Sequence, residues 1–346
     1  MSTVWFWLVA FMLIAYVVLD GFDIGVGILH LFVAKSDDER RLALRSIGPV
    51  WDGNEVWLIA GGGTLYFAFP LVYASSFSGF YLPLMIVLWL LILRGVSIEL
   101  RSHVTLSVWR TFFDGLFTFS SGLLAIFYGA ALANVIRGVP IGPDFYFFLP
   151  LWTNWRVGPS PGILDWYTVI GGVLALVALT VHGGLYLATK TEAAIQARAR
   201  RAVKLLWLPL LVLTGFSLIA TMKIRPESLH NYEAHPIAFI IPVGVILALA
   251  GILNFSRRHQ DKRAFASSAV YLGLMMTGAA AGLYPALLPS ITDHALDLTV
   301  HNAQSGQYAL HIGIYWWAFG MLLVINYFAI VYWMFRGKVN LKSGGY

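Results

Sequence analysis

The chain contains no cysteine. That excludes a disulfide, an iron–sulfur cluster on its own thiolates and a thiolate-ligated copper. Charge is scarce too. Asp, Glu, Lys and Arg make up 12% of the 346 residues, against about 25% in a soluble domain. Apolar residues fill the gap, at 59% with a mean hydropathy of +0.74. The length is therefore best counted in hydrophobic spans of roughly 20 residues. A P-loop, a Rossmann fingerprint, an HExxH motif and a nucleophile elbow are also missing. The first apolar segment, Trp5 to Val33, has no basic leader and no small-residue cleavage site. It is too long for a signal-peptide core and is expected to remain as a first helix.

Nine apolar stretches follow one another, at about 4–33, 50–73, 77–100, 112–136, 163–189, 203–222, 236–255, 265–285 and 309–335. They predict an all-α polytopic membrane protein with nine transmembrane helices in one transmembrane domain, 1–346. Lys and Arg set the orientation, because they accumulate in cytoplasmic connections. Of the 23 Lys and Arg, only Arg137, Arg156, Lys223 and Arg225 fall on one side. The others lie after helix 1 (Lys35, Arg40, Arg41, Arg45), around the helix 3–4 turn (Arg94, Arg101, Arg110), between helices 5 and 6, between helices 7 and 8, and at the C-terminus (Arg336, Lys338, Lys342). The N-terminus is thus expected outside and the C-terminus in the cytoplasm, which requires an odd number of crossings. The net charge of +6 follows from the same bias, and nucleic acid need not be invoked. Two outside connections are long: 137–162, rich in Pro, Gly and Trp, and 286–308, polar and free of Lys and Arg.

Ionisable groups inside spans carry the most information, since a charge at bilayer depth costs several kcal/mol unless paired, solvated or neutralised. Helix 1 holds Asp20 and Asp23 at i, i+3, on one face. Gly21 and Gly25 beside them make a GxxxG pattern that admits another backbone. Two carboxylates so placed repel when both are ionised, and a carboxyl that can hold or release a proton is what a proton relay requires. Helix 2 opens Gly48-Pro-Val-Trp-Asp-Gly-Asn-Glu-Val-Trp57, with Asp52 and Glu55 again at i, i+3. An ordinary account exists for Asp52, as an acid in a first turn after Pro49. Yet Asp20, Asp23, Asp52, Glu55, Glu99 and Asp114 all fall in the cytoplasmic half of helices 1 to 4, beside Arg94 and Arg101. A route by which protons enter from the cytoplasm would need that bias. The bland alternative is a salt-bridged lock, such as Asp23 or Glu99 with Arg94.

Nine histidines test for haem, which needs inward axial ligands at depth. Only His182 lies clearly inside a span, and a hydrogen-bonded packing role suits it better than ligation. No metal site and no cofactor site in this chain is predicted from the residues.

These blocks together are recognisable. Asp20-Gly-Phe-Asp-Ile-Gly-Val-Gly27 and Gly48-Pro-Val-Trp-Asp-Gly-Asn-Glu-Val-Trp-Leu58 carry the resemblance. Phe77-Ser-Gly-Phe-Tyr81, Leu93-Arg-Gly-Val96, His182-Gly-Gly-Leu-Tyr186, Leu283-Tyr-Pro285, Pro289-Ser-Ile-Thr292 and Leu298-Thr-Val-His-Asn-Ala303 support it. Over its whole length the chain resembles subunit II, the smaller core subunit of cytochrome bd-type quinol oxidases, including the cyanide-insensitive branch. The resemblance implies two four-helix bundles plus one peripheral helix in a bacterial cytoplasmic membrane. It implies a larger subunit I that holds b-type and d-type haems, with quinol and dioxygen as substrates of the complex. Small single-helix accessory subunits and lipids complete the partners. Some members hold a structural quinone in this subunit, and no motif here decides that point. By motif, the acid of the Trp-Asp-Gly-Asn block falls on Asp52, in the proton route, and an acid of the helix 1 motif has a similar role, with Asp23 favoured over Asp20. Glu55 joins these candidates. Trp51, Asn54, Arg94, Glu99, Arg101 and His182 would form the supporting polar network. Two other classes of function accommodate intramembrane acids. One is a proton-coupled transporter, against which the absence of a detectable inverted repeat weighs. The other is an assembly subunit whose acids are all salt-bridged.

Overall fold

A computed structural model describes residues 1–340; Lys342, counted above with the C-terminal basic residues, lies outside them. Twelve helices run in the order α1 (Ser2–Val33), α2 (Asp37–Ile47), α3 (Trp51–Ala68), α4 (Pro70–Gly79), α5 (Tyr81–Leu100), α6 (Ser107–Arg137), α7 (Trp166–Lys190), α8 (Ala193–Ile224), α9 (His230–Ala234), α10 (Ile240–Arg257), α11 (Asp261–Leu283) and α12 (Gln307–Met334). Eight segments are long and apolar enough to cross a bilayer: α1, α5, α6, α7, α8, α10 with the turn before it, α11 and α12. The 18-residue α3 is not among them.

The C-terminal half of α1 is buried on every side from Asp20 to His30. It packs against α3, α6, α7 and α11, which is why this stretch combines small residues with the acids. The Gly21 and Gly25 face meets α7. A Cβ on Gly25 would stand 2.0 Å from the Leu179 carbonyl oxygen, and one on Gly183 would stand 2.3 Å from the Gly25 carbonyl carbon. Backbones approach this closely only where both residues lack a side chain. A second crossing of the same kind joins Gly129 of α6 to Gly171 of α7. Beyond α1, helices α7, α8, α10 and α11 pack around a core that includes Leu179, Leu185, Leu210, Leu249 and Tyr271. Helix α12 is peripheral, with only Leu310 and Met321 buried.

Several boundaries differ from the sequence reading. The third stretch, expected from 77, begins at Tyr81, and the fourth, expected from 112, begins at Ser107. Three further differences have clear causes. The second stretch, expected to continue to 73, stops at Ala68, and α4 begins at Pro70. Pro70 lacks an N–H and disfavours helical geometry at the residue before it, and Phe69 leaves the helix at φ −137°, ψ 66°. The break frees two carbonyls. Ser305 closes both, its N–H donating to Ala68 O at 2.9 Å and its hydroxyl to Phe67 O at 2.5 Å. The sixth stretch, expected from 203, begins at Ala193, because its basic first turns are helical although too polar to register as apolar. The connection after α1 holds α2, which was not expected. Ser36 and Glu39 form a capping box at its start, and Ala43, Leu44, Ser46 and Ile47 make its buried face.

The long connection after α6 is pinned by Asp165. Its carboxylate caps α7 through the Tyr167 and Thr168 amides, both at 2.9 Å, and pairs with Arg137. The connection after α11 folds into a short hairpin, β1 (Ala286–Leu288) with β2 (Leu298–Thr299).

Candidate functional site

Asp20 and Asp23 project from α1 toward α3 and α5, with α12 behind. Both are fully buried, as are Asn54 and Arg94. Arg94 reaches across from α5 and grips Asp20 with two guanidinium nitrogens, one bond measuring 2.9 Å. This bidentate form is the strongest arrangement open to the pair. Glu55, half-buried one turn into α3, lies 3.6 Å from the same guanidinium.

Asp23 has different company. Its Oδ2 accepts from Asn54 Nδ2 at 2.7 Å, and the same amide reaches Leu19 O at 3.2 Å. Tyr332 of α12 donates to Asn54 Oδ1 at 2.9 Å. That bond fixes which way the amide points, with its NH2 toward α1. The other carboxylate oxygen, Asp23 Oδ1, is buried with no partner. The two acids of one i, i+3 pair are therefore unlike: Asp20 is held by a cation, and Asp23 by a neutral amide with one oxygen left open.

The outer neighbours are placed as follows. Asp52 is exposed in the first turn of α3. Trp51 is half-buried, its ring 3.4 Å from where a Cβ on Gly95 of α5 would stand. Tyr16, one turn before Asp20, donates to Tyr128 of α6 at 2.8 Å.

Some expected members belong elsewhere. The lock on Arg94 uses Asp20, neither Asp23 nor Glu99. Glu99 is exposed; five residues beyond Arg94, it is turned about 140° around the helix, and its carbonyl accepts from His103 Nδ1 at 2.8 Å. Arg101 joins a second cluster near the ends of α1, α2 and α6. There Asp114 accepts from Arg101 Nε at 2.5 Å, from His30 Nε2 at 2.6 Å and from Arg40 at 3.1 Å, while Asp37 accepts from Arg101 at 2.7 Å and Arg110 at 2.8 Å. Partial burial works against the Arg101 charge, but its bonds to Asp114 and Asp37 outweigh that and raise its pKa. His182 sits on another side of α1. Its Nε2 donates to Val18 O at 3.0 Å, Nδ1 meets Ser268 Oγ at 2.7 Å, and the ring stacks on Phe265 at 4.8 Å. Among the described residues no group of three or more His, Asp or Glu could hold a metal ion.

Tyr332 and His30 are the contributors that sequence reasoning passed over. Tyr332 is one aromatic among many in α12. His30 falls near a helix end, and only the fold brings Asp114 to it.

A profile of the family described as cytochrome bd terminal oxidase subunit II matches residues 1–335. The chain is 32% identical to cytochrome bd-I ubiquinol oxidase subunit 2 of Escherichia coli (strain K12), over 98% of this chain and 95% of that one. It is 31% identical to cytochrome bd ubiquinol oxidase subunit 2 of Bacillus subtilis (strain 168), over 98% and 97%. Its fold is similar to that of a chain of the bd oxidase from Geobacillus thermodenitrificans, with a TM-score of 0.75, 18% identity, and coverage of 96% of this chain and 98% of the other.

Proposed function

The chain belongs to the cytochrome bd terminal oxidase subunit II family, and on that footing we propose that it is the haem-free subunit of a quinol:dioxygen oxidoreductase that conducts protons toward the dioxygen-reducing site. It is a multi-pass membrane subunit of a quinol oxidase complex. In the proposal it lies in a bacterial inner membrane and crosses nine times, α3 continued by α4 supplying the ninth crossing. The N-terminus is outside and the C-terminus cytoplasmic. Helices α1, α3, α5 and α6 form one four-helix bundle, α7, α8, α10 and α11 the other, and α12 stands beside them. The haems belong to the larger partner that this subunit scaffolds. In support, His182 has both ring nitrogens engaged and His30 is bonded to Asp114.

The observation that carries the proton route is the open oxygen of Asp23, buried beside a graded series of acids. Asp52 stands in water at the mouth, and Glu55 is half-buried one turn deeper. Arg94 grips Asp20 through two nitrogens, so Asp20 serves as an anchor. Asp23, held only by a neutral amide, takes a proton on Oδ1 and releases it again. Asn54, oriented by Tyr332, holds the carboxyl in place in both states.

The test is Asp23→Asn and Asp52→Asn in the assembled complex, with quinol-driven oxygen uptake and haem spectra measured on the same samples. Asp23→Asn is expected to slow turnover about tenfold, about 1.4 kcal/mol in the barrier, with unchanged haem bands. Asp52→Asn is expected to have a smaller effect, because water can replace an acid at an exposed mouth. Unchanged turnover in Asp23→Asn would remove the acid from the route; a loss of haem would assign it to assembly.

A further inference from the structure

A cavity of about 570 Å³ opens at the end of the α7, α8, α10 and α11 bundle, away from the acids of α1. Its wall carries Arg200, Lys262, Arg263 and Lys338 against a single acid, Asp261. Asp261 is already engaged by Arg200, at 2.9 and 2.6 Å. Lys338 pairs with Glu192 at 3.3 Å, on the outer side. Among the described residues, the Arg263 guanidinium meets only the neutral Gln260 side chain, at 3.1 Å, and the face of Phe255. Lys262 has no partner among the described residues. The surplus charge therefore faces into the cavity.

The backbone adds to it. Helix α11 starts in this wall, at Asp261, and no side chain caps it. The amides of its first turn are free to donate to an anion, and the helix dipole favours one there. The turn before it is tight, with His259 at φ 56°, so these amides and the Lys262 and Arg263 side chains come from one short segment. The fourth cation is brought from far along the chain. Val339 N–H donates to Lys190 O at 2.8 Å, and Lys190 Nζ to Phe335 O at 2.7 Å. The segment after α12 is thereby tied across the end of α7, which carries Lys338 to the cavity rim.

We infer that this cavity is a binding site for a phosphate-bearing anion, either the headgroup of an anionic phospholipid or a soluble polyphosphate. Multiple cations with uncapped amides match the several acceptor oxygens of a phosphate better than a carboxylate. The volume exceeds that of one phosphate and suits a diphosphate or a headgroup with its glycerol. Basic pockets at the ends of membrane helices are suited to anionic headgroups. Neither Lys262 nor Arg263 takes part in the proton route, and both are exposed, so replacing them leaves the bundle core intact.

The experiment compares the intact complex with its Lys262→Gln/Arg263→Gln variant in two arms. In detergent, inorganic pyrophosphate is titrated by calorimetry at low and high salt. In nanodiscs of phosphatidylcholine with phosphatidylglycerol, lipid retained after extraction is weighed by native mass spectrometry. The wild-type complex is expected to bind pyrophosphate about tenfold more tightly than the variant, with affinity falling as salt rises, or to retain phosphatidylglycerol that the variant loses. The first result identifies a soluble polyphosphate site and the second a headgroup site; haem bands and turnover stay unchanged in both. Equal pyrophosphate affinity together with equal lipid retention overturns the inference.

Discussion

Arg94→Gln is expected to destabilise the subunit by about 3–5 kcal/mol, the usual consequence of removing one partner from a buried ion pair. The change leaves Asp20 fully buried without the cation that pairs with it. An uncompensated charge inside a membrane helix bundle has no water to turn to. The partner substitution is milder. Asp20→Asn leaves Arg94 with Glu55, 3.6 Å away and half-buried, so the guanidinium retains a carboxylate. The double variant, Arg94→Gln with Asp20→Asn, removes both charges and is expected to recover much of the loss. Thermal unfolding of the purified complex and its yield from membranes measure all three. If the single Arg94 variant is as stable as the wild type, the pair is not the anchor described above. If the double variant is no better than Arg94→Gln, the loss comes from packing, not from charge.

Gly25→Ala is the second change with a large expected effect. The new methyl would stand 2.0 Å from a backbone oxygen of α7 and 2.8 Å from Gly183. A flexible side chain could yield; a helix backbone cannot, so α1 and α7 must separate. Overpacking costs about 1–3 kcal/mol where side chains absorb it, and the upper end or more is expected here. Separation of α1 from α7 also shifts Asp20 and Asp23 relative to Arg94 and Asn54, so turnover should fall along with stability. Gly215→Ala in α8 is the control, since a Cβ there meets nothing within 4 Å. It should be neutral or gain up to about 1 kcal/mol from helix propensity. Equal behaviour of the two variants in a melting experiment would remove the close crossing from the account of the fold.

Much of this site is written in local spacing. The i, i+3 acids of α1, the acid-rich start of α3 and the paired glycines follow from periodicity and from the scarcity of charge. What periodicity cannot supply is the rotation of one helix against another. Asp20 and Asp23 differ by about 60° around α1, and that angle alone decides which of them meets Arg94 and which meets Asn54. Arg101, just past the end of α5, continues the face that carries Arg94, but the two stand about 10 Å apart along the axis and serve different clusters. Two local signals were available and outweighed. Pro70 marks the break in the second stretch, yet the surrounding apolar run masked it. Ser36 and Glu39 mark the start of α2, yet its charge made it resemble a loop. Tyr332 offered no signal, because a hydroxyl that orients an amide resembles any other aromatic in a membrane helix.

The clasp that Ser305 places on the α3–α4 break also has an order in time. A chain is made from its N-terminus, and the carbonyls of Phe67 and Ala68 leave the ribosome long before the residue that receives them. At about 5–20 residues per second the delay is on the order of tens of seconds. The helices that carry Asp52, Asn54 and Arg94 therefore wait through most of translation with an unfinished bend beside them. Tyr332, which fixes Asn54, is synthesised later still. Helices α1 and α3 are the earliest parts of this protein to be made and among the last to reach their final geometry.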